Sequence, residues 1–145
     1  MRSADLHELA ALRLNGLDQR YTRARRALVD VLAAADAPLA IPQLLDRDRA
    51  LAQSSAYRNL TVLERAGVVH RIVTADEFAR YELAEDLTGH HHHLICSACG
   101  DVRDVTMPPE LESQLDHALG RIAGEHDFAA DHHRLDLVGT CPSCR

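Results

Sequence analysis

The chain contains no lysine and no tryptophan. Only 3% of its residues are aromatic, which argues against a row of rings for stacking exposed bases. No apolar run reaches the roughly 18 residues a membrane span needs, and no apolar stretch follows the start as in a secretory leader. With 7 Gly and 5 Pro among 145 residues, collagen-like and low-complexity classes are excluded. Four cysteines are too few for a disulfide-dense scaffold. These absences describe a soluble, cytoplasmic chain with no membrane partner, sized for one globular domain or two small ones.

All sixteen basic residues are arginine, and the net charge is −6. The charge is unevenly spread. Residues 1–84 hold 12 Arg against 11 acidic residues, net +1, while residues 85–145 hold 4 against 11, net −7. Arg20, Arg23, Arg25 and Arg26 fall within seven residues. Such a cluster suits nucleic-acid phosphate, although a solvated helix face with ion pairs would look similar.

Apolar periodicity predicts helices over 4–15, 23–35, 42–49 and 55–66. Thr22 caps the second, Pro42 opens the third, Ser54 or Ser55 starts the fourth, and Gly67 stops it. Strands at 68–73 and 80–83 follow, joined by a polar turn. Helices followed by a hairpin make a winged helix-turn-helix, with 55–66 as recognition helix. Its non-core face offers Ser55, Tyr57, Arg58, Asn59, Thr61 and Arg65 to phosphates or base edges. A polar hinge at about 84–90 separates residues 1–84 from 85–145. The second part reads as strands 92–96 and 101–106, a helix from Pro109 to about 124, and an alternating strand 128–138. The fold class is therefore α+β.

The four cysteines form two C-x₂-C pairs, Cys96/Cys99 and Cys141/Cys144. Two such turns aimed at one point build a tetrahedral S₄ shell, the preference of structural zinc. With no open position, that site holds fold rather than performing chemistry. Directly before it stands the run His90–His93. On an extended segment, alternate side chains face opposite ways. His91 and His93 then serve one site, and His90 and His92 another. Glu82 and His70 could complete one shell, and Asp116 and His133 the other. Each also has a plainer reading: His70 as a wing residue, Asp116 as helix-surface charge, His133 as a hydrogen-bonded core imidazole.

Several segments together resemble the ferric uptake regulator family of metal-dependent repressors. They are Arg20-Tyr21-Thr22-Arg23-Ala24-Arg25, Ser55-Ala56-Tyr57-Arg58-Asn59-Leu60, Tyr81-Glu82-Leu83, the histidine run through Cys99-Gly100, and Gly139 to Cys144. The resemblance implies a homodimer, with residues 1–84 as winged-helix DNA-binding domain and 85–145 as a small α/β metal-binding dimerisation domain. It places Arg20 in the minor groove of a palindromic operator and Tyr57 and Arg58 in the major groove. It assigns structural zinc to Cys96, Cys99, Cys141 and Cys144. It puts Glu82, His91 and His93 in a regulatory hinge site, with a fourth ligand from the DNA-binding side, here His70. His90, His92, Asp116 and His133 map to a second site of the dimerisation domain.

The chain departs from both the iron- and zinc-responsive patterns. Ala37-Pro38-Leu39 lacks the histidine common in iron-responsive members. Zinc-responsive relatives often carry a cysteine near Ala84 and an aspartate where His70 stands. The all-histidine run is more similar to zinc-uptake regulators, and affinity order favours zinc over iron(II). Manganese and nickel also compete for this role within the family. A metal-dependent hydrolase lacks support, since neither a Ser/His/Asp order nor a helical H-E-x-x-H is present. A zinc-ribbon interaction module without regulatory metal is the remaining rival.

Overall fold

The computed structural model describes residues 2–74 and 78–145. The tip of the expected wing turn, 75–77, lies outside them. The order is α1 (Ser3–Asn15), α2 (Arg23–Ala33), β1 (Leu39–Ala40), α3 (Ile41–Arg47), α4 (Gln53–Arg65), β2 (Val69–Val73) and β3 (Ala79–Leu83). Then come α5 (Glu85–Thr88), β4 (His92–Cys96), β5 (Val102–Val105), α6 (Pro109–Glu125) and β6 (Asp136–Gly139). The fold is α+β: a winged helix-turn-helix followed by a small α/β unit carrying a Cys₄ cluster. No described helix is long and apolar enough to cross a membrane.

Local chemistry explains the first half. Thr22 Oγ1 accepts from Arg25 N at 3.3 Å and caps α2. Gly67, at φ +70, turns the chain out of α4 into β2, a conformation costly for residues with a Cβ. Ala56, Leu60 and Leu63 of α4 are buried against Leu28 and Leu32 of α2 and Leu44 of α3. Each such side chain contributes about 1.5–3 kcal/mol by leaving water. The wing sheet has order β1-β3-β2, and His70 pairs with Glu82 across it.

Four differences from the sequence expectation have physical causes. Strand β1, too short to show periodicity, forms because Leu39 and Ala40 add to the edge of β3. Helix α4 starts at Gln53 with Ala52 at the N-cap position and no side-chain cap, and the Ser55 hydroxyl turns back to the Ala52 carbonyl at 3.1 Å. The hinge contains the short helix α5, held where Arg13 of α1 reaches both the Gly67 carbonyl and the Asp86 carboxylate. Finally, of the expected strand 128–138 only 136–138 is strand, the strand running on to Gly139 and pairing parallel to β4. The preceding segment leaves the ladder and carries His133 toward α6.

The core cluster runs from Leu6 to Leu87 and lies almost wholly in the first half. In the second sheet, of order β5-β4-β6, the buried residues include His92, His93 and Cys96. Helix α6 buries none of its residues within the chain. Leu111 and Ile122 are exposed, as are Leu137 and Val138 on the edge strand β6.

Candidate metal centres and nucleic-acid interface

Among the described residues three clusters of metal-ligating side chains form, each with its four donor atoms within 4.8 Å of one another. The first is Cys96, Cys99, Cys141 and Cys144. Cys99 Sγ and Cys141 Sγ stand 3.8 Å apart. That matches the edge of a tetrahedron with zinc–sulfur bonds of about 2.3 Å, so the donor set fits zinc. Gly100, at φ +76, closes the first knuckle. Backbone N–H groups of Cys141 and Cys99 pull the Cys96 thiol below its ordinary pKa, favouring the thiolate that a metal needs.

The second cluster joins the wing to the second sheet across the segment expected to be a hinge. Glu82 comes from β3 of the wing, His91 and His93 from the segment leading into and along β4, and Asp104 from β5. Glu82 Oε2 accepts from His91 Nε2 at 3.0 Å and His93 Nε2 at 3.2 Å. Asp104 Oδ1 lies 3.9 and 3.7 Å from the same nitrogens. The opposite ring nitrogens are held from behind: His91 Nδ1 by the Gly89 carbonyl at 3.0 Å, His93 Nδ1 by Asp136 at 3.1 Å. Such outer contacts fix ring direction and aim both Nε2 atoms at Glu82, the point where a cation would be shared. Burial raises the Glu82 carboxyl pKa, but hydrogen bonds from His70, His93 and His91 outweigh it and hold the carboxyl well below the usual range. For His91 and His93 burial acts downward, yet their carbonyl and carboxylate partners carry both above their ordinary value.

His70 lies beside this cluster, its Nδ1 3.4 Å from Glu82 Oε1, while the fourth converging donor is Asp104. Reading the β4–β5 hairpin around the first knuckle would have found it, because that register pairs His93 with Asp104.

The third cluster is His90, His92, Glu112 and His133. Glu112 Oε1 stands 2.8 Å from both His90 Nε2 and His133 Nε2, and Oε2 is 2.9 Å from His92 Nε2. Asp116, expected among these donors, instead contacts the far nitrogen of His133 at 3.1 Å. Glu112 lies one turn earlier on the same helix face, and its longer side chain reaches between the rings. His92 is 2% exposed, and its Nδ1 has no partner among the described residues. His90 Nδ1 bonds Glu85 of α5. Helix α5 is thus tied through Glu85 to this cluster and through Asp86 to α1. The run His90–His93 therefore divides two and two, His90 and His92 to one cluster, His91 and His93 to the other.

In the winged helix, Arg20, Arg23, Tyr57 and Arg58 are exposed. Arg25 is half-buried: Nε donates to Asn59 Oδ1 at 3.0 Å and NH1 to the Arg20 carbonyl at 2.6 Å. Asn59 is buried by this contact, and Thr61 turns its hydroxyl to the Tyr57 carbonyl at 3.1 Å. Of the polar face expected on the recognition helix, Tyr57, Arg58 and Arg65 are the ones left outward.

Comparison with known proteins gives a consistent result. Residues 16–138 match the ferric uptake regulator family. The peroxide-responsive repressor PerR of Staphylococcus saprophyticus is 31% identical over 143 residues, spanning 94% of this chain and 88% of that protein. A zinc-bound manganese uptake regulator is 31% identical, with TM-score 0.63 over 94% of this chain and 98% of its own. The Helicobacter pylori ferric uptake regulator superposes with TM-score 0.75 at 22% identity, covering 99% of this chain and 94% of that one.

Proposed function

The chain belongs to the ferric uptake regulator family of metal-responsive transcriptional repressors, and from that premise we propose that it is a zinc-sensing repressor of metal-homeostasis genes. Members of this family regulate transcription; they are not enzymes. The observation that carries the reading is the hinge cluster, because Glu82 sits on the wing while His91, His93 and Asp104 sit on the second sheet. A divalent ion bound there supplies a positive charge that carboxylates and imidazoles from both halves share.

The chain's own residues then do the rest. Glu82 draws β3 toward β4, fixing how the winged helix sits on the second half. In a homodimer, that fixes the spacing of two recognition helices over successive major grooves of a palindromic operator. Moving the closed arrangement from 1:99 to 99:1 requires a differential affinity of about 5.5 kcal/mol. Arg20 and Arg23 supply the salt-sensitive phosphate term, and Tyr57 and Arg58 meet base edges. The exposed apolar stripe of α6 and the open edge of β6 support the dimer, since a second copy would cover both. The hinge falls at about 84–90, between a DNA-binding part and a metal-binding dimerisation part, and the repressor works in the cytoplasm with the DNA.

Zinc is favoured by affinity order, and it accepts the imidazole pair His91 and His93 of the hinge cluster. Structural zinc occupies the Cys₄ shell, and His90, His92, Glu112 and His133 form a further site. A second reading, iron(II) or manganese at the hinge, is favoured by the carboxylate pair Glu82 and Asp104, since oxygen donors suit harder ions. A DNA-shift titration with zinc, iron(II), manganese and nickel separates the two. Zinc should restore operator binding at the lowest free concentration. Equal binding with and without excess chelator, the Cys₄ metal retained, would end the sensor reading.

A further inference from the structure

Two side-chain networks converge on residues 16–22, the connector between α1 and α2, and neither belongs to the metal chemistry. His7 of α1 is 5% exposed. Its Nδ1 lies 2.6 Å from the Tyr21 hydroxyl and its Nε2 2.8 Å from Asp30 Oδ1 in α2. A carboxylate can only accept, so Nε2 donates to Asp30, and in the neutral ring Nδ1 then accepts from the Tyr21 hydroxyl. Burial pushes the Tyr21 pKa up to about 12, keeping that hydroxyl protonated as a donor. From the other side, Arg25 grips the Arg20 carbonyl and, through Asn59, the recognition helix. The backbone at Arg20–Tyr21 is therefore fixed to α1, α2 and α4 at once. The Arg20 side chain itself is exposed and makes no hydrogen bond or ion pair among the described residues.

We infer that Tyr21, acting through His7 and Asp30, is a positioning residue that sets the direction in which Arg20 leaves the protein toward DNA. The inference rests on Arg20 being a DNA contact. Burying a histidine with both ring nitrogens engaged costs more than burying a leucine of similar size. The network must therefore provide something packing alone would not, and what it holds in place is the backbone beneath an unengaged arginine. A connector ordered in the free protein need not be ordered on binding, which preserves affinity.

The test is a double-mutant cycle on full-length, zinc-loaded protein. The probe is a duplex selected by that protein from a random-sequence pool, and Kd is measured over a range of salt. Arg20→Ala should weaken binding and reduce the slope of log K against log salt by about 0.9. Tyr21→Phe removes one hydroxyl and leaves the ring. It should weaken binding about five- to tenfold in the parent but less than twofold in the Arg20→Ala background, a coupling of the size neighbouring residues show. Metal stoichiometry should not change. Equal losses in both backgrounds would make Tyr21 a general fold residue and overturn the inference, as would no loss in either. An Arg20→Ala protein with parental Kd and slope would instead overturn the DNA-contact reading beneath it.

Discussion

Replacing Glu82 by Gln separates metal binding from metal response. Its carboxylate is the member of the hinge cluster contributed by the wing. His91, His93 and Asp104, all in the second half, keep their places in Glu82→Gln. Metal should still bind there, weakened by the loss of one anionic donor, but it no longer ties the wing to β4. The coupling of about 5.5 kcal/mol needed for a full switch should then largely vanish. Operator affinity with saturating zinc should fall to within about twofold of its chelated value. Stability changes less. The Glu82 side chain is 12% exposed and accepts from three histidines, but its charge also opposes Asp104. Replacing a charge-assisted acceptor by a neutral one should cost about 1–2 kcal/mol. In a chain of this length that lowers Tm by roughly 3–7 °C. Metal competition titration, DNA shift and thermal unfolding on one preparation give all three quantities. Parental zinc-dependent operator binding by folded Glu82→Gln would refute the reasoning.

Other outcomes follow from the same geometry. Cys96→Ser should lose one metal per chain, measured by metal analysis, and melt the β5-β4-β6 sheet, since that half buries few apolar residues to replace the thiolate shell. Arg13→Ala removes the links from α1 to Gly67 and Asp86. It should lower Tm by only a few degrees, because Asp86 is largely exposed, while weakening zinc-dependent operator binding severalfold by DNA shift. Protons compete with metal for His91 and His93, whose pKa values are raised above 6.5 in the metal-free protein. Hinge-site affinity should therefore be flat well above that range and fall as pH drops through it, the loss beginning above pH 6.5 in competition titrations.

Much of the fold was legible because it rests on local chemistry. Thr22, Pro42 and Gly67 mark helix ends by capping, ring geometry and positive φ, and the α4 stripe follows the 3.6-residue period. The division of the histidine run followed from strand alternation alone. What escaped depended on tertiary register. Asp104 enters the hinge cluster only through its pairing with His93, and Glu112 takes the place expected for Asp116 because it reaches between the rings while Asp116, one turn on, meets only the far nitrogen of His133. Arg25 and Asn59 looked like DNA-facing side chains, since nothing local shows that α2 and α4 pack close enough for them to bond each other. The alternation over 128–135 suggested a strand, yet among the described residues the segment forms no ladder and meets β4 only where the Leu135 carbonyl accepts from His93 N at 3.4 Å.

The switch depends on one cation joining the wing to the second sheet. Anomalous diffraction at the zinc edge, on crystals grown with saturating zinc, would locate that cation. A peak is expected within bonding distance of Glu82, His91 and His93, distinct from the peak among the four cysteines. A structure with the cysteine shell filled, His91 and His93 turned to solvent and no peak beside Glu82 would contradict it.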